Sequence, residues 1–293
     1  MRMCGSRGQR GGHGRPASIS TRVGHGIVTA IILFFGVLMM TPFLFMFSTS
    51  MRHSAEAYKL PPSLIPESFF LGNYVELLQS SIPFGQMFIN SVVVVLAVIA
   101  GQLIVCSMGA YAFAKLDFPA KNPLFLCFLL SMMIPAQATI IPIYIMISKL
   151  GLVDTLPALI LPALFNSFGI FLLRQFFMTM PKAIDEAAKI DGAGYWTIFW
   201  RIILPQALTP LASLTILTFN NVWNDYFNPL IFINSWEKMT VPLGIAALKG
   251  YMGAGNRAVI MAGVSLAVVP VLLIFLFCQR FIVEGLTSGS VKG

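Results

Sequence analysis

Charge is what this sequence has least of. Asp, Glu, Lys and Arg make up 10% of its 293 residues, against about 25% in soluble domains. With 57% of the residues hydrophobic, that little charge cannot cover a water-soluble surface. The composition excludes an ordinary soluble enzyme and points to a polytopic membrane protein. Histidine is as scarce: His13, His25 and His53 have no clustered partners. The four cysteines, Cys4, Cys106, Cys127 and Cys278, show no CxxC spacing, and three of them lie in apolar runs where a thiol is a small buried hydrophobe. No metal site is assigned. There is no GxxxxGK[ST] loop for a nucleotide and no Ser/His/Asp constellation, so no catalytic residue is assigned. Acids are outnumbered, giving a net charge of +8. The basic residues sit in loops between apolar spans, which argues for a membrane and against nucleic acid as their partner.

What is present is a succession of apolar runs. Residues 27–47, 84–114, 123–148, 156–173, 210–233 and 258–278 each hold a stretch long enough for the ~30 Å hydrocarbon core at ~1.5 Å per residue. The fold expected is all-α, with six transmembrane helices. The first run is too long for a signal-peptide apolar region and reads as a retained anchor. Before it, residues 1–22 form a basic tail poor in large apolar side chains, expected to be disordered. Residues 23–285 form the membrane domain and 286–293 a short polar tail. Lys and Arg gather in the tail and in the even-numbered loops, leaving only Arg52, Lys59, Lys149, Lys238, Lys249 and Arg257 for the others. The positive-inside rule then places both termini in the cytoplasm. Residues 51–83 and 234–257 are expected as outer loops, the first with a short helix near Tyr74.

Polar residues inside the spans are few. Pro135 and Pro142 should bend the third span, and Gln137 sits at that bend, lining a pathway or binding backbone freed by the kink. Asn221, Asn224 and Asp225 fall in the outer half of the fifth. An ionisable group at bilayer depth is costly unless it faces a bundle interior or water. Asp225 therefore has two readings: a path-lining group, or an interface residue beside Trp223 and Tyr226.

The longest charge-bearing segment between two spans is residues 181–210. Pro181 suits the first position of a helix, Asp185 and Glu186 lie toward its positive end, and Asp185 and Lys189 form an i,i+4 pair. Gly192 supplies the φ > 0 position that ends it. A second helix begins near Gly194 with an apolar stripe at Tyr195, Ile198, Phe199 and Ile202, and Pro205 stops or kinks it. Ala183, Ala187 and Ala188 make the first helix thin, with Glu186 and Asp191 at its flank and end. Spacing alone fits either a solvent-exposed connector or a surface presented to another protein.

The residues Glu186-Ala187-Ala188, Asp191-Gly192-Ala193, Phe199, Ile202 and Leu204-Pro205, followed by Pro210, resemble the EAA loop of the membrane subunits of binding-protein-dependent ABC importers. Met133-Ile134-Pro135 with Ile141-Pro142, Leu150-Gly151-Leu152, and Trp223-Asn224-Asp225 with Pro229-Leu230 resemble the carbohydrate (maltose-type) branch of these permeases. The resemblance runs from about residue 27 to 285.

That resemblance implies a type I (MetI-like) importer permease fold in a prokaryotic inner or plasma membrane. It implies a second homologous permease subunit, two ATPase subunits, an external solute-binding protein and surrounding lipid as partners. This chain would bind no cofactor itself, with ATP and Mg held by the ATPases. Glu186, Ala187, Ala188, Asp191, Gly192 and Ala193 would couple to an ATPase groove, and the solute would be a sugar or a polyol derivative such as glycerol phosphate. Two rivals come from other classes. An ion-coupled secondary transporter would show repeated halves or buried coupling charges, and a polytopic membrane enzyme would need a convergent His, Asp or Cys cluster. Neither signal is evident.

Overall fold

The computed structural model of the chain describes residues 19–59, 64–250 and 255–290, with side chains described between Ile27 and Cys278 in those ranges. The basic tail expected at 1–22 lies outside the described residues except for its last four, which open the first helix. Two units divide the chain, Met1–Met46 and Phe47–Gly293. The first holds most of helix α1 (Ile19–Ser50), whose side chains from Ile27 to Met40 are all exposed.

The second unit carries α2 (Gly72–Gln79), α3 (Phe84–Lys115), α4 (Lys121–Ser131), α5 (Ala136–Lys149), α6 (Leu156–Ala163), α7 (Ser167–Thr179), α8 (Lys182–Ile190), α9 (Tyr195–Ile198), α10 (Leu204–Gln206), α11 (Leu208–Trp223), α12 (Phe227–Phe232), α13 (Val241–Leu248) and α14 (Arg257–Ser290), and no strand among the described residues. Among the described residues, four helical stretches are long and apolar enough to cross a bilayer: Ile27–Ser50, Phe84–Lys115, Leu156–Thr179 and Arg257–Cys278. Two bent pairs, α4 with α5 and α9–α10 with α11, bring the number to six if each is one span. The fold is all-α and polytopic. α14 continues past the expected sixth span to Ser290.

α3 is the axis of the second unit. No proline interrupts its 32 residues, and it is about 48 Å long at the α-helical rise. One face, with Val94, Val98, Gln102 and Cys106, is buried, while Ile89, Val93, Leu96, Ile104 and Met108 point outward and make the apolar exterior that lipid requires. Four apolar clusters draw on it, and three of them mark out its length. Phe84 joins Leu77, Val241, Leu248, Val259 and Ala262 at one end. Val94 and Val98 meet Ile147, Ala158, Leu159 and Phe232 in the middle. Cys106, Ala110, Tyr111 and Phe113 meet Ile170, Leu173, Phe177, Phe199 and Leu214 at the other. α7 approaches closely because Gly169 has no side chain: a Cβ there would lie 3.0 Å from Leu214 Cδ1 and 3.1 Å from Cys106 Sγ.

Where helices break inside the apolar layer, their backbone groups are given partners, as a water-free setting demands. Between α6 and α7, the Gln102 amide donates to the Ala163 carbonyl (2.6 Å), and its oxygen accepts from Asn166 Nδ2 (3.1 Å) and Thr218 Oγ1 (2.7 Å). Asn166 in turn caps α7 by accepting the Gly169 N–H.

The third span departs from a gently bent helix. α4 and α5 meet at 104°, because Pro135 caps α5 from an extended conformation and also keeps Ile134 out of the α region. Pro142 is accommodated inside α5, so of the two prolines one breaks the span and the other does not. The fifth span, expected through residue 233, stops at Trp223, and the separate α12 starts at Phe227. The loop expected at 234–257 instead contains α13, with Val241, Leu243, Gly244 and Leu248 buried. Its start is fixed by α3: Asn90 donates to the carbonyls of Glu237 (2.7 Å) and Met239 (2.9 Å), and the Val241 N–H donates to Ser91 Oγ (2.8 Å).

Asp154, between α5 and α6, ties the same region together. It stands at φ +60°, a region Asp tolerates better than most residues. Its carboxylate accepts from the N–H groups of Asn234 (2.9 Å) and Ser235 (2.8 Å), from the Ser235 hydroxyl, and from Lys238 Nζ (3.2 Å). The Ser235 hydroxyl and the two backbone donors, with help from Lys238, hold this carboxyl far below the ordinary carboxylate range.

Candidate functional site

The segment 181–210 begins one residue after Met180. Pro181 is the cap before α8 rather than its first residue, with an extended ψ of 134°. α8 ends as the glycine implied. Gly192 has φ +80°, its N–H donates to the Lys189 carbonyl (3.0 Å), and the Ala193 N–H donates to Ala188 (2.9 Å). These two bonds make a Schellman stop. A Cβ on Gly192 would meet nothing within 4 Å, so the glycine is needed for its backbone angle and not for space.

α8 has two unlike faces. Ala188 is buried in the cluster around Phe177 and Phe199, and Asp185 turns the same way, its carboxylate 2.8 Å from Lys115 Nζ. The expected pairing of Asp185 with Lys189 is therefore corrected. A half-buried carboxylate gains more from the ammonium at the buried end of α3 than from an exposed lysine on its own helix, and Lys189 lies over the Tyr195 ring at 5.2 Å. Ala188 is also not part of the thin outer surface. Outward lie Ala183, Glu186, Ala187 and Ile190, at i, i+3, i+4 and i+7, with Asp191 at the end. Ile190 is 87% exposed. Two alanines and an isoleucine beside one acid form a flat, partly apolar ridge with no partner from the chain's described residues.

The helix after Gly194 anchors this ridge. Its expected stripe is only partly kept: Ile198 and Phe199 are buried, Ile202 is half-buried, and Tyr195 is exposed. Residues Phe199–Ile203 form a π turn, with the Leu204 N–H donating to Phe199. Pro205 explains it, since a regular helix would press its ring against the Arg201 carbonyl and lacks a donor for it. The extra residue in the turn rotates the buried stripe onto Ile203 and Ala207. The chain then bends by 78° into α11, two residues beyond the proline expected to stop it. Trp196 and Trp200, both exposed, pack on the edges of the buried Phe199 ring.

The four path candidates are not brought together. Asp225 lines a cavity of about 180 Å³ between α3, α5, α6 and α12, with Thr139, Asn228 and Thr240 as further polar walls. Its carboxylate also accepts from the N–H (3.2 Å) and Nδ2 (2.7 Å) of Asn228, in the first turn of α12. Asn221, Asn224 and Gln137 are exposed outside that cavity. Among the described residues no group of His, Cys, Asp and Glu is arranged for a metal. Lys115 and Ile190 carried no signal in isolation. The ion pair shows only when the ends of α3 and α8 are placed side by side, though an isoleucine on the polar face of a short amphipathic helix is a usable hint.

Residues 104–288 match the family described as the binding-protein-dependent transport system inner membrane component. The chain belongs to that family. It is a membrane-embedded permease of such a transport system rather than an enzyme, and the matched region runs from Ile104 in α3 to Ser288 in α14 and includes α8. The arabinooligosaccharides transport system permease protein AraQ of Halalkalibacterium halodurans is 34% identical over 91% of this permease and 96% of its own length. The sn-glycerol-3-phosphate transport system permease protein UgpE of Pectobacterium atrosepticum is 34% identical over 93% and 99%. Among solved structures, a chain of a bacterial ABC transporter involved in the import of the acidic polysaccharide alginate superposes with a TM-score of 0.80 at 23% identity, covering 91% of this permease and 99% of that chain. A chain of the bacterial alginate transporter in complex with its pentasaccharide-bound periplasmic protein gives 0.54 at 16% identity, over 89% and 96%. These likenesses establish the fold.

Proposed function

We propose that this permease is one membrane subunit of an ATP-driven importer for a sugar or a related polyol or glycerol-phosphate solute, delivered by an external binding protein. α8 is its coupling helix. The observation that carries the reading is the outward ridge of Ala183, Glu186, Ala187 and Ile190, held on a glycine-stopped helix inside the family-matched region. Glu186, Ala187, Asp191, Gly192 and Ala193 would meet or shape the contact with an ATPase, while Ala188 seats the helix on the bundle. ATP and Mg would be held by two ATPase subunits, and a second homologous permease would complete the membrane pair. The relatives named for arabinooligosaccharide and glycerol-phosphate transport support the solute class.

Topology follows from α3. Asn90 fixes the segment around Trp236–Lys238 at one end and Lys115 fixes α8 at the other. Those two residues are about 37 Å apart along the helix, more than the ~30 Å hydrocarbon layer, so they belong on opposite membrane faces. The reading puts α8 and both termini in the cytoplasm and the Trp236–Lys238 face toward the binding protein. In a cysteine-less background, Glu237→Cys should label from outside intact cells and Lys182→Cys should not. Uptake by the assembled importer should need binding protein and ATP and should persist when ion gradients are collapsed. External labelling at position 182, or uptake driven by a gradient without ATP, would overturn the reading.

A further inference from the structure

On the face of α8 that carries Ala188, a buried ion pair joins it to the axis of the bundle. Lys115 is the last residue of α3 and Asp185 lies in the first turn of α8. Their side chains are 5% and 13% exposed, with Nζ and Oδ2 2.8 Å apart. The same ammonium donates to the Met180 carbonyl (3.0 Å), so it grips the entry to α8 at two points. Asp185 Oδ1 is buried and has no hydrogen-bond partner among the described residues. The lysine is therefore the group that compensates this carboxylate, and removing it would leave a buried charge uncompensated.

The surroundings set this lysine apart from its basic neighbours. The last carbonyls of a helix lack intrahelical donors, and near this end of α3 two of them are taken by cations. Lys121 Nζ donates to Leu116 (2.6 Å). Arg174 donates to Phe113 (3.2 Å) while its guanidinium lies 3.9 Å over the Phe125 ring. Both serve the end of α3 itself, whereas Lys115 reaches α8. A nine-residue helix is too short to be stable alone, and a lone alanine contact would let it slide. A buried charge pair is directional and steeply distance-dependent in a low dielectric. α3 contributes to four apolar clusters, and a close-packed interior transmits strain.

We propose that the Lys115–Asp185 pair is a strut that passes displacement of α8 into α3, making Lys115 a positioning residue for energy coupling. The proposal rests on the reading of α8 as the helix that receives an ATPase. Because the pair is buried while the ridge of Ala183, Glu186, Ala187 and Ile190 is exposed, it separates two events that would otherwise fail together: holding the ATPase and responding to it.

The test uses the full importer with Lys115→Met, Asp185→Leu and the isosteric Asp185→Asn. It adds the conservative Lys115→Arg and the exchange Lys115→Asp with Asp185→Lys, all at matched membrane levels. Co-purification of the ATPase and its basal hydrolysis should stay at the parent level in every variant. Solute-stimulated hydrolysis and uptake should fall roughly tenfold or more in the three unpaired variants and recover in Lys115→Arg and in the exchange. Normal uptake in the unpaired variants would overturn the strut alone. So would loss of the ATPase from an inserted Lys115→Met protein, which would give the lysine a docking role, or an exchange no better than the three unpaired variants. Failure of the parent protein to hold an ATPase would overturn the coupling reading and the strut with it.

Discussion

α8 and α13 are both short helices between long spans, and they do opposite things with their side chains. α13 buries Val241, Leu243, Gly244 and Leu248 against α3 and α14, and side chains of α3 hold its approach and its first N–H. α8 buries one alanine and one ion pair and leaves Ala183, Glu186, Ala187 and Ile190 outside. α13 is thus part of the bundle's packing, whereas α8 is presented by it. The contrast separates residues that maintain the fold from residues that address another protein, and it can be attacked from both sides.

The largest expected effect on stability lies under α13. Phe84 is 1% exposed at the centre of that cluster, and Phe84→Ala should cost about 3–5 kcal/mol, read as early thermal unfolding of the purified permease. Ile190→Ala on α8 should change stability by no more than about 0.5 kcal/mol while weakening retention of the ATPase. Equal destabilisation by the two would erase the distinction. Next comes the stop of α8. Gly192→Leu should cost about 1 kcal/mol or more from its left-handed backbone alone, since its Cβ would meet nothing. Uptake should fall several-fold, and Gly192→Asn should retain more activity than Gly192→Leu because Asn tolerates that conformation.

A smaller effect concerns pH at the α13 end. Asp154 has a folded pKa below its unfolded value of 3.8. Its contribution is therefore fully present above that value and is lost only as pH falls through the folded pKa. Asp154→Asn should lower thermal stability by a constant margin from pH 7 to about 4, with the two curves converging only in stronger acid. A margin that disappears near pH 6 would contradict the assignment. The smallest change is expected at Asp225. Asn and Asp serve about equally at helix starts, so Asp225→Asn should leave uptake within about twofold if its role is to begin α12. A large loss with normal assembly would instead make the cavity it shares with Thr139 and Thr240 part of the path.

What could be read in advance follows from how local each signal is. The apolar runs and the glycine stop are written in consecutive residues: four of the runs appear as uninterrupted or nearly uninterrupted candidate spans, and Gly192 ends α8 as its position implies. The 104° break at Pro135 was legible as a bend but not as a division, because Pro142 carries the same local signal and is nevertheless absorbed inside α5. The π turn before Pro205 shifts a helical stripe by a residue, which a fixed 3.6-residue period cannot register. α13 was hidden by its length: Val241–Leu248 is too short to span a membrane and so passed for loop. The partner of Asp185 depended on residues 70 positions apart in sequence, where the i+4 cation on its own helix, Lys189, was the wrong one.

The most direct test of α8 as the presented coupling helix is Glu186→Lys. The residue is exposed on the outward ridge, so the change should leave insertion and stability of the permease intact. Against a basic ATPase surface it should place like charges together at a cost on the order of several kcal/mol. The account predicts loss of ATPase co-purification and of solute-stimulated hydrolysis, with partial recovery when the facing ATPase cation is replaced by an acid. A Glu186→Lys permease that holds its ATPase and imports solute at the parent rate would show that α8 merely connects two spans.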